Sequence, residues 1–222
     1  MSFSQEVKEE LSRVLPAARH CQIAELAAII SMCGRIVISA RDRYSLKIHT
    51  ENPGVAKSYR ELLCQAFHVA PEVAVRTNRS ARTGSVYTVT VNEHDQAVRI
   101  LQAVKLLDEN EEIGENLSIV DNVVIMKDCC KRAFLRGVFM ASGSISDPGK
   151  SYHFEIVCET WEKAQQLSEI IKTFKIDSKI VERKKHFVVY IKEGEGIVDI
   201  LNVMQAHISL MNLENVRILK EM

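Results

Sequence analysis

The chain has 222 residues, 46% of them hydrophobic and 26% charged, which is enough apolar material to bury a core in one large domain or two packed lobes. Lys plus Arg equals Asp plus Glu at 29 each, so bulk charge draws the protein to neither nucleic acid nor membrane, and any such contact has to come from a local patch. No apolar run is long enough to span a membrane, and the start "MSFSQEVKEELSRV" places acids where a signal peptide needs bases, so neither membrane insertion nor export is expected.

That same start reads as a leading helix, with Ser2 or Ser4 as its N-cap. A second helix carries "LAAIISMCGRI", Leu26 to Ile36. It stops at Gly34, where a left-handed cap is expected. A hairpin follows, pairing Arg35–Arg41 with Ser45–Glu51. The next helix shows an apolar stripe of Tyr59, Leu62, Leu63, Ala66 and Phe67. A second hairpin joins Val73–Arg76 to Val86–Val91 through the turn-rich connection Asn78 to Gly84, and a further helix closes the unit.

The pattern then starts again. "LRGVFMASGSI", Leu135 to Ile145, lies over Leu26 to Ile36 at a separation of 109 residues. Small residues, Ala28 and Gly137, fall at the same place, and Gly34 matches Gly143. "AFHVAPEVAVR" matches "TFKIDSKIVER", and "VTVNEHDQAVRILQAV" matches "VYIKEGEGIVDILNVM", in the same order. The second unit has a hairpin of Ser144–Ser146 with Tyr152–Glu159. Its helix stripe is Trp161, Ala164, Leu167, Ile170, Ile171 and Phe174, and its second hairpin pairs Lys179–Arg183 with Phe187–Lys192. The fold class is therefore α+β, a pseudo-twofold duplicated α-β-β-α-β-β-α arrangement. The two Gly-ended helices form the seam, where Ala28, Gly34, Gly137, Ala141 and Gly143 allow close approach.

"LAAIISMCG" and, more loosely, "LRGVFMASG" resemble the paired signature of the LAGLIDADG homing endonucleases. The resemblance implies two saddle-forming antiparallel sheets with helices on one face. Taken with "KRAFLRGVFMASGSISDPGKSYHFEI", the N-terminal stretch resembles the WhiA family of bacterial regulators of sporulation and cell division. In that family a degenerate endonuclease-like region precedes a helix-turn-helix DNA-binding domain. The implied organisation is a leading helix over 1–19, a first repeat over 20–110, a linker over 111–127 and a second repeat over 128–210. Residues 211–222 then begin a helical linker to a C-terminal domain absent here, with Leu210, Leu213, Val216 and Leu219 as its apolar spacing.

In the nuclease family the eighth signature position is an acid that holds divalent metal. Here those positions are Cys33 and Ser142, whose neutral side chains lack the anionic oxygens Mg²⁺ prefers. No catalytic residue, metal or cofactor is expected, and an active metal-dependent endonuclease is the competing reading. The six cysteines read as reduced core thiols; Cys129, Cys130 and a distant histidine lack metal-ligand spacing. Bases alternate along the strands, with Ile36, Ile38, Leu46 and Ile48 facing the helices. Candidate DNA contacts are Arg35, Arg41, Arg43, Lys47, Arg76, Arg79, Arg82, Lys179, Arg183, Lys184 and Lys185. The expected function is a non-catalytic, cytoplasmic, nucleoid-associated region of a DNA-binding transcriptional regulator acting in cell division, chromosome segregation or sporulation. DNA is the expected partner, mainly through the absent domain, with weak direct contact here. A third reading is a module that binds a protein partner or ligand on the old DNA saddle.

Overall fold

Ser2 opens the first helix, α1 (Phe3–Leu11), with a reciprocal cap. The Gln5 N–H donates to Ser2 Oγ at 3.3 Å, and the Ser2 N–H donates to Gln5 Oε1 at 3.1 Å. The computed structural model describes residues 2–77, 84–114 and 119–221.

The first repeat runs α2 (Arg19–Cys33), β1 (Gly34–Ile38), β2 (Tyr44–Thr50), α3 (Pro53–Phe67), β3 (Glu72–Thr77), β4 (Ser85–Val91) and α4 (His94–Ala103). The second runs α5 (Asp128–Ser142), β5 (Gly143–Ile145), β6 (Phe154–Cys158), α6 (Trp161–Thr173), β7 (Lys179–Arg183), β8 (His186–Ile191) and α7 (Gly194–Met204), followed by α8 (His207–Glu221). Local chemistry sets several starts. Asn52 Oδ1 accepts from the N–H groups of Gly54 and Val55 ahead of α3, and Thr160 Oγ1 accepts from the Lys163 N–H ahead of α6.

Each repeat builds one antiparallel sheet with the same strand order, β1-β2-β4-β3 and β5-β6-β8-β7. Alternation along the strands puts Leu46, Ile48, Val89 and Val91 under the helices in one sheet, and Phe154, Ile156, Val189 and Ile191 in the other. The α3 stripe is buried throughout. In α6 the residues Ala164, Leu167, Ile170 and Ile171 are buried, but Trp161 is 47% exposed. It stands at the first helical position, where its ring meets Phe187 of β8 edge-on at 5.7 Å and stays half open to solvent. Ile38 is likewise exposed, because it pairs with Tyr44 at the open tip of the edge hairpin. Arg41 belongs to that hairpin's turn rather than to β1.

The seam is made by α2 and α5, buried nearly all round at Leu26 to Ile30 and Phe134 to Met140. Close approach is real at Gly137, where a Cβ would stand 2.8 Å from Glu25 O and 2.9 Å from the Ala28 Cβ. The expected left-handed caps at Gly34 and Gly143 are absent. Their φ values are −84° and −82°, extended backbone open to any residue. Glycine is required there for space instead: a Cβ on Gly34 would run into Ile30 O, and one on Gly143 into the Phe139 ring.

One polar pair crosses the seam. Glu25 is fully buried and Arg136 is 2% exposed. Arg136 donates to Glu25 Oε2 through Nη2 at 2.6 Å and Nε at 3.1 Å, and its Nη1 donates to Gln205 Oε1 at 3.0 Å. Burial pushes the Glu25 carboxyl above its ordinary range despite the guanidinium beside it.

Helix α8 runs unbroken across residue 210. Its start is held by Glu10 of α1, which accepts from the Ile208 and Ser209 N–H groups, and near its end Lys220 Nζ donates to Pro148 O. Leu213 is buried, whereas Leu219 is 72% exposed. No helix among the described residues is long and apolar enough to cross a membrane.

Candidate nucleic-acid interface and the ends of the helix seam

The outer face of the first sheet follows from register. With Leu46 and Ile48 turned inward, Lys47 and His49 turn outward. Lys47 sits opposite Arg35 of β1 on one side and Thr90 of β4 on the other, and Thr90 faces Glu72 of β3. Arg76 shares the outer parity of Glu72 on β3, beside Val86. His49 Nδ1 lies 3.0 Å from Thr88 Oγ1 on the same face. Arg41 and Arg43 stand exposed in the β1–β2 turn. Arg79 and Arg82 lie outside the described residues.

The second sheet has the same frame and different chemistry. Lys179 and Arg183 occupy the outer parity of β7, and Lys184 and Lys185 form the exposed β7–β8 turn. Glu155 occupies the position on β6 that Lys47 holds on β2. Its carboxylate accepts from Arg183 Nη1 at 3.1 Å, from His153 Nε2 at 2.8 Å and from Ser144 Oγ at 3.3 Å. Burial raises its pKa, but these donors outweigh it and hold the carboxyl below the usual range. Among the described residues, Arg183 is the one candidate DNA contact engaged in an ion pair.

At the seam's C-terminal end the signature positions are neutral, and Lys163 and Glu159 stand beside them 3.9 Å apart. Cys33 Sγ donates to Ile29 O at 3.2 Å and Ser142 Oγ to Val138 O at 3.4 Å, so both side chains turn back onto their own helices. Burial pushes the Cys33 thiol up to about 12. Lys163 reaches across from α6 and donates to Ser31 O at 2.6 Å, where the end of α2 favours positive charge. A cavity of about 440 Å³ opens here, lined by Cys33, Arg35, His49, Glu159 and Lys163 among others.

The opposite end brings together the group whose sequence spacing did not suggest a metal site, Cys129 and Cys130 with a distant histidine. The first turns of α2 and α5 bring His20, Cys21, Cys129 and Cys130 together, with all four ligand atoms within 4.8 Å of one another. Linear spacing could not show this, since each helix supplies only two adjacent residues. The repeat offset could have: positions 20 and 21 superpose on 129 and 130 at the same 109-residue separation as the signatures. The seam pair Glu25–Arg136 also escapes a sequence reading, because nothing in a sequence pattern marks an arginine as buried.

Two family models match: the WhiA N-terminal LAGLIDADG-like domain over residues 19–107 and the WhiA LAGLIDADG-like domain over 131–222. The full-length DUF199/WhiA crystal structure from Thermatoga maritima shares the fold at a TM-score of 0.73 and 19% identity, over 99% of this chain and 67% of that one. The homing endonuclease I-DmoI, solved in complex with DNA and Mn, aligns at a TM-score of 0.59 and 10% identity over 84% of this chain and 98% of that one. Among curated proteins, the probable cell division protein WhiA of Lachnoclostridium phytofermentans is 48% identical over 222 residues, all of this chain and 71% of that protein. On that likeness across its whole length, the chain belongs to the WhiA family.

Proposed function

We propose that this chain is a non-catalytic, DNA-contacting part of a cell-division regulator, lying at the nucleoid and acting in transcription, chromosome segregation or sporulation. In this reading residues 20–110 and 128–210 are the two halves of an old DNA saddle, and 1–19, 111–127 and 211–222 join and extend it. The observation that carries the reading is the outer face of the first sheet. There Arg35, Lys47 and Arg76 present cations that no described carboxylate pairs with, next to a cavity edged by Arg35, Lys163 and Glu159. Cations on such a face neutralise phosphates without reading bases, so the contact is weak, salt-sensitive and indifferent to sequence. Neutral Cys33 and Ser142 at the signature acid positions, with the Lys163 ammonium beside the α2 terminus, favour the non-catalytic reading over metal-assisted cleavage.

The test is DNA affinity as a function of salt, for the chain and for R35A/K47A/R76A. Every phosphate-neutralising cation removed should lower the slope of log affinity against log salt by about 0.9. A slope and affinity unchanged in the triple variant would remove the first sheet as a DNA surface, and leave the saddle to a protein partner or ligand. Incubation of supercoiled plasmid with Mg²⁺ or Mn²⁺ separates off the endonuclease: nicking that tracks the chain through purification would reject the non-catalytic reading.

A further inference from the structure

We propose that His20, Cys21, Cys129 and Cys130 form a Zn²⁺ site that ties the two repeats together at the N-terminal end of the helix seam. The donors are three thiols and one imidazole, a set that selects zinc in a tetrahedral, fully protein-ligated site. Ordinary zinc bond lengths put neighbouring ligand atoms about 3.6 Å apart for nitrogen and sulfur, and about 3.8 Å for two sulfurs. Here His20 Nδ1 lies 3.2 Å from Cys130 Sγ, 3.3 Å from Cys21 Sγ and 4.0 Å from Cys129 Sγ. These three separations lie within about 0.4 Å of the nitrogen–sulfur value, and small rotations of the side chains would seat an ion between the four ligand atoms.

The placement suits that role. One residue pair comes from the first turn of α2 and its repeat-equivalent from the first turn of α5, so the site lies where the pseudo-twofold relation brings the two helices side by side. All six cysteines are free, so these thiols remain available as ligands. Cys21 and Cys130 are buried beneath, while His20 and Cys129 are exposed above, which gives an ion a route in from solvent. On binding, Zn²⁺ takes the sulfur lone pairs of three thiolates and the Nδ1 lone pair of neutral His20. Three thiol protons leave to solvent, and the complex carries one net negative charge. The positive ends of α2 and α5 both meet at that charge and offset it.

The site sits at the far end of the seam from Cys33 and Ser142. It is thus a structural staple distinct from the position at which the endonuclease fold holds catalytic metal.

The test is metal content of the chain purified under reducing conditions without a histidine tag, by elemental analysis, with Co²⁺ exchange read by absorption. The expected result is one zinc per chain, a sulfur-to-cobalt charge-transfer band with tetrahedral d–d bands, and a lower melting temperature after chelation. Both zinc and the cobalt spectrum should be lost in H20A/C129S, which changes only the exposed pair and should keep the native far-ultraviolet spectrum. The buried variant C21S/C130S should lose both as well, and its folding can be judged against the exposed one. A reduced, folded chain that takes up no zinc or cobalt would overturn the proposal, as would H20A/C129S retaining full metal with an unchanged cobalt spectrum. Iron in place of zinc at unit stoichiometry would overturn the assignment of the ion.

Discussion

The two sheets share one strand order and one register, yet they treat charge in opposite ways. At the equivalent central position the first sheet holds Lys47 and the second Glu155, and at the equivalent edge the first holds Glu72 and the second Lys179. Around Glu155 the second sheet gathers Arg183, His153 and Ser144, while Lys179, Lys184 and Lys185 stand there without described carboxylate partners. The first sheet leaves Arg35, Lys47 and Arg76 without described carboxylate partners, while Glu72 at its edge is occupied by Asn92 Nδ2 at 2.8 Å. The inner faces explain why the backbone tolerates this divergence. Leu46, Ile48, Val89 and Val91 correspond to Phe154, Ile156, Val189 and Ile191, and apolar burial alone preserves the frame. The outer face is free to change, so the two halves of a duplicated fold can carry different charge at equivalent positions.

The two halves are held in one body by α2 and α5, so substitutions at the seam should cost the most stability. Arg136→Ala would leave Glu25 buried without its partner, and should cost about 3–5 kcal/mol in urea unfolding. The paired replacement E25L/R136M should recover much of that deficit, since desolvating both charges offsets their attraction. If Arg136→Ala proved neutral, the seam would not depend on this pair. Next in size is Gly137→Ala, whose added methyl meets the Glu25 carbonyl and the Ala28 Cβ. It should cost about 1–3 kcal/mol, checked by the same unfolding curve.

Much of this architecture is legible in the chain because a repeat doubles the signal. The pairing of Leu26–Ile36 with Leu135–Ile145 locates the seam helices, and strand alternation around Leu46 and Ile48 separates inner from outer face. The failures have physical causes. Periodicity counts a residue as buried wherever an element has an apolar side, but Trp161, Ile38 and Leu219 fall at element ends and stay open to solvent. A glycine after a helix suggests positive φ, whereas at Gly34 and Gly143 the need is for space against the preceding turn. The His20–Cys130 cluster joins two adjacent-residue pairs 109 positions apart, and no local spacing motif can describe it.

The charge asymmetry itself is sharpened by exchanging the equivalent residues. Lys47→Glu should make the first sheet resemble the second and lower the salt slope of DNA binding by more than the roughly 0.9 expected for deleting one cation at a phosphate, because the new carboxylate also repels. Glu155→Lys should raise the slope, as it adds a cation and releases Arg183. Equal behaviour of the two variants, read by a salt series on the same duplex, would mean that neither face is the one that meets phosphate.

The smallest effect tests the Glu155 cluster of the second sheet alone. Glu155 has a folded-state pKa below its ordinary value, so its donors stabilise the folded chain while the carboxylate is ionised. That contribution is present above the unfolded-state pKa and is lost as pH falls through the carboxylate range toward the depressed value. Glu155→Gln keeps the shape and removes the charge. The wild-type chain should therefore exceed it in stability at neutral pH, by no more than about 1 kcal/mol because the Arg183 side chain is 54% exposed and solvent screens the pair. The gap should close on acidification, as read by urea unfolding across that range. A gap that stayed constant with pH would show that Glu155 acts by shape and not by charge, and the contrast with Lys47 would then lose its electrostatic meaning.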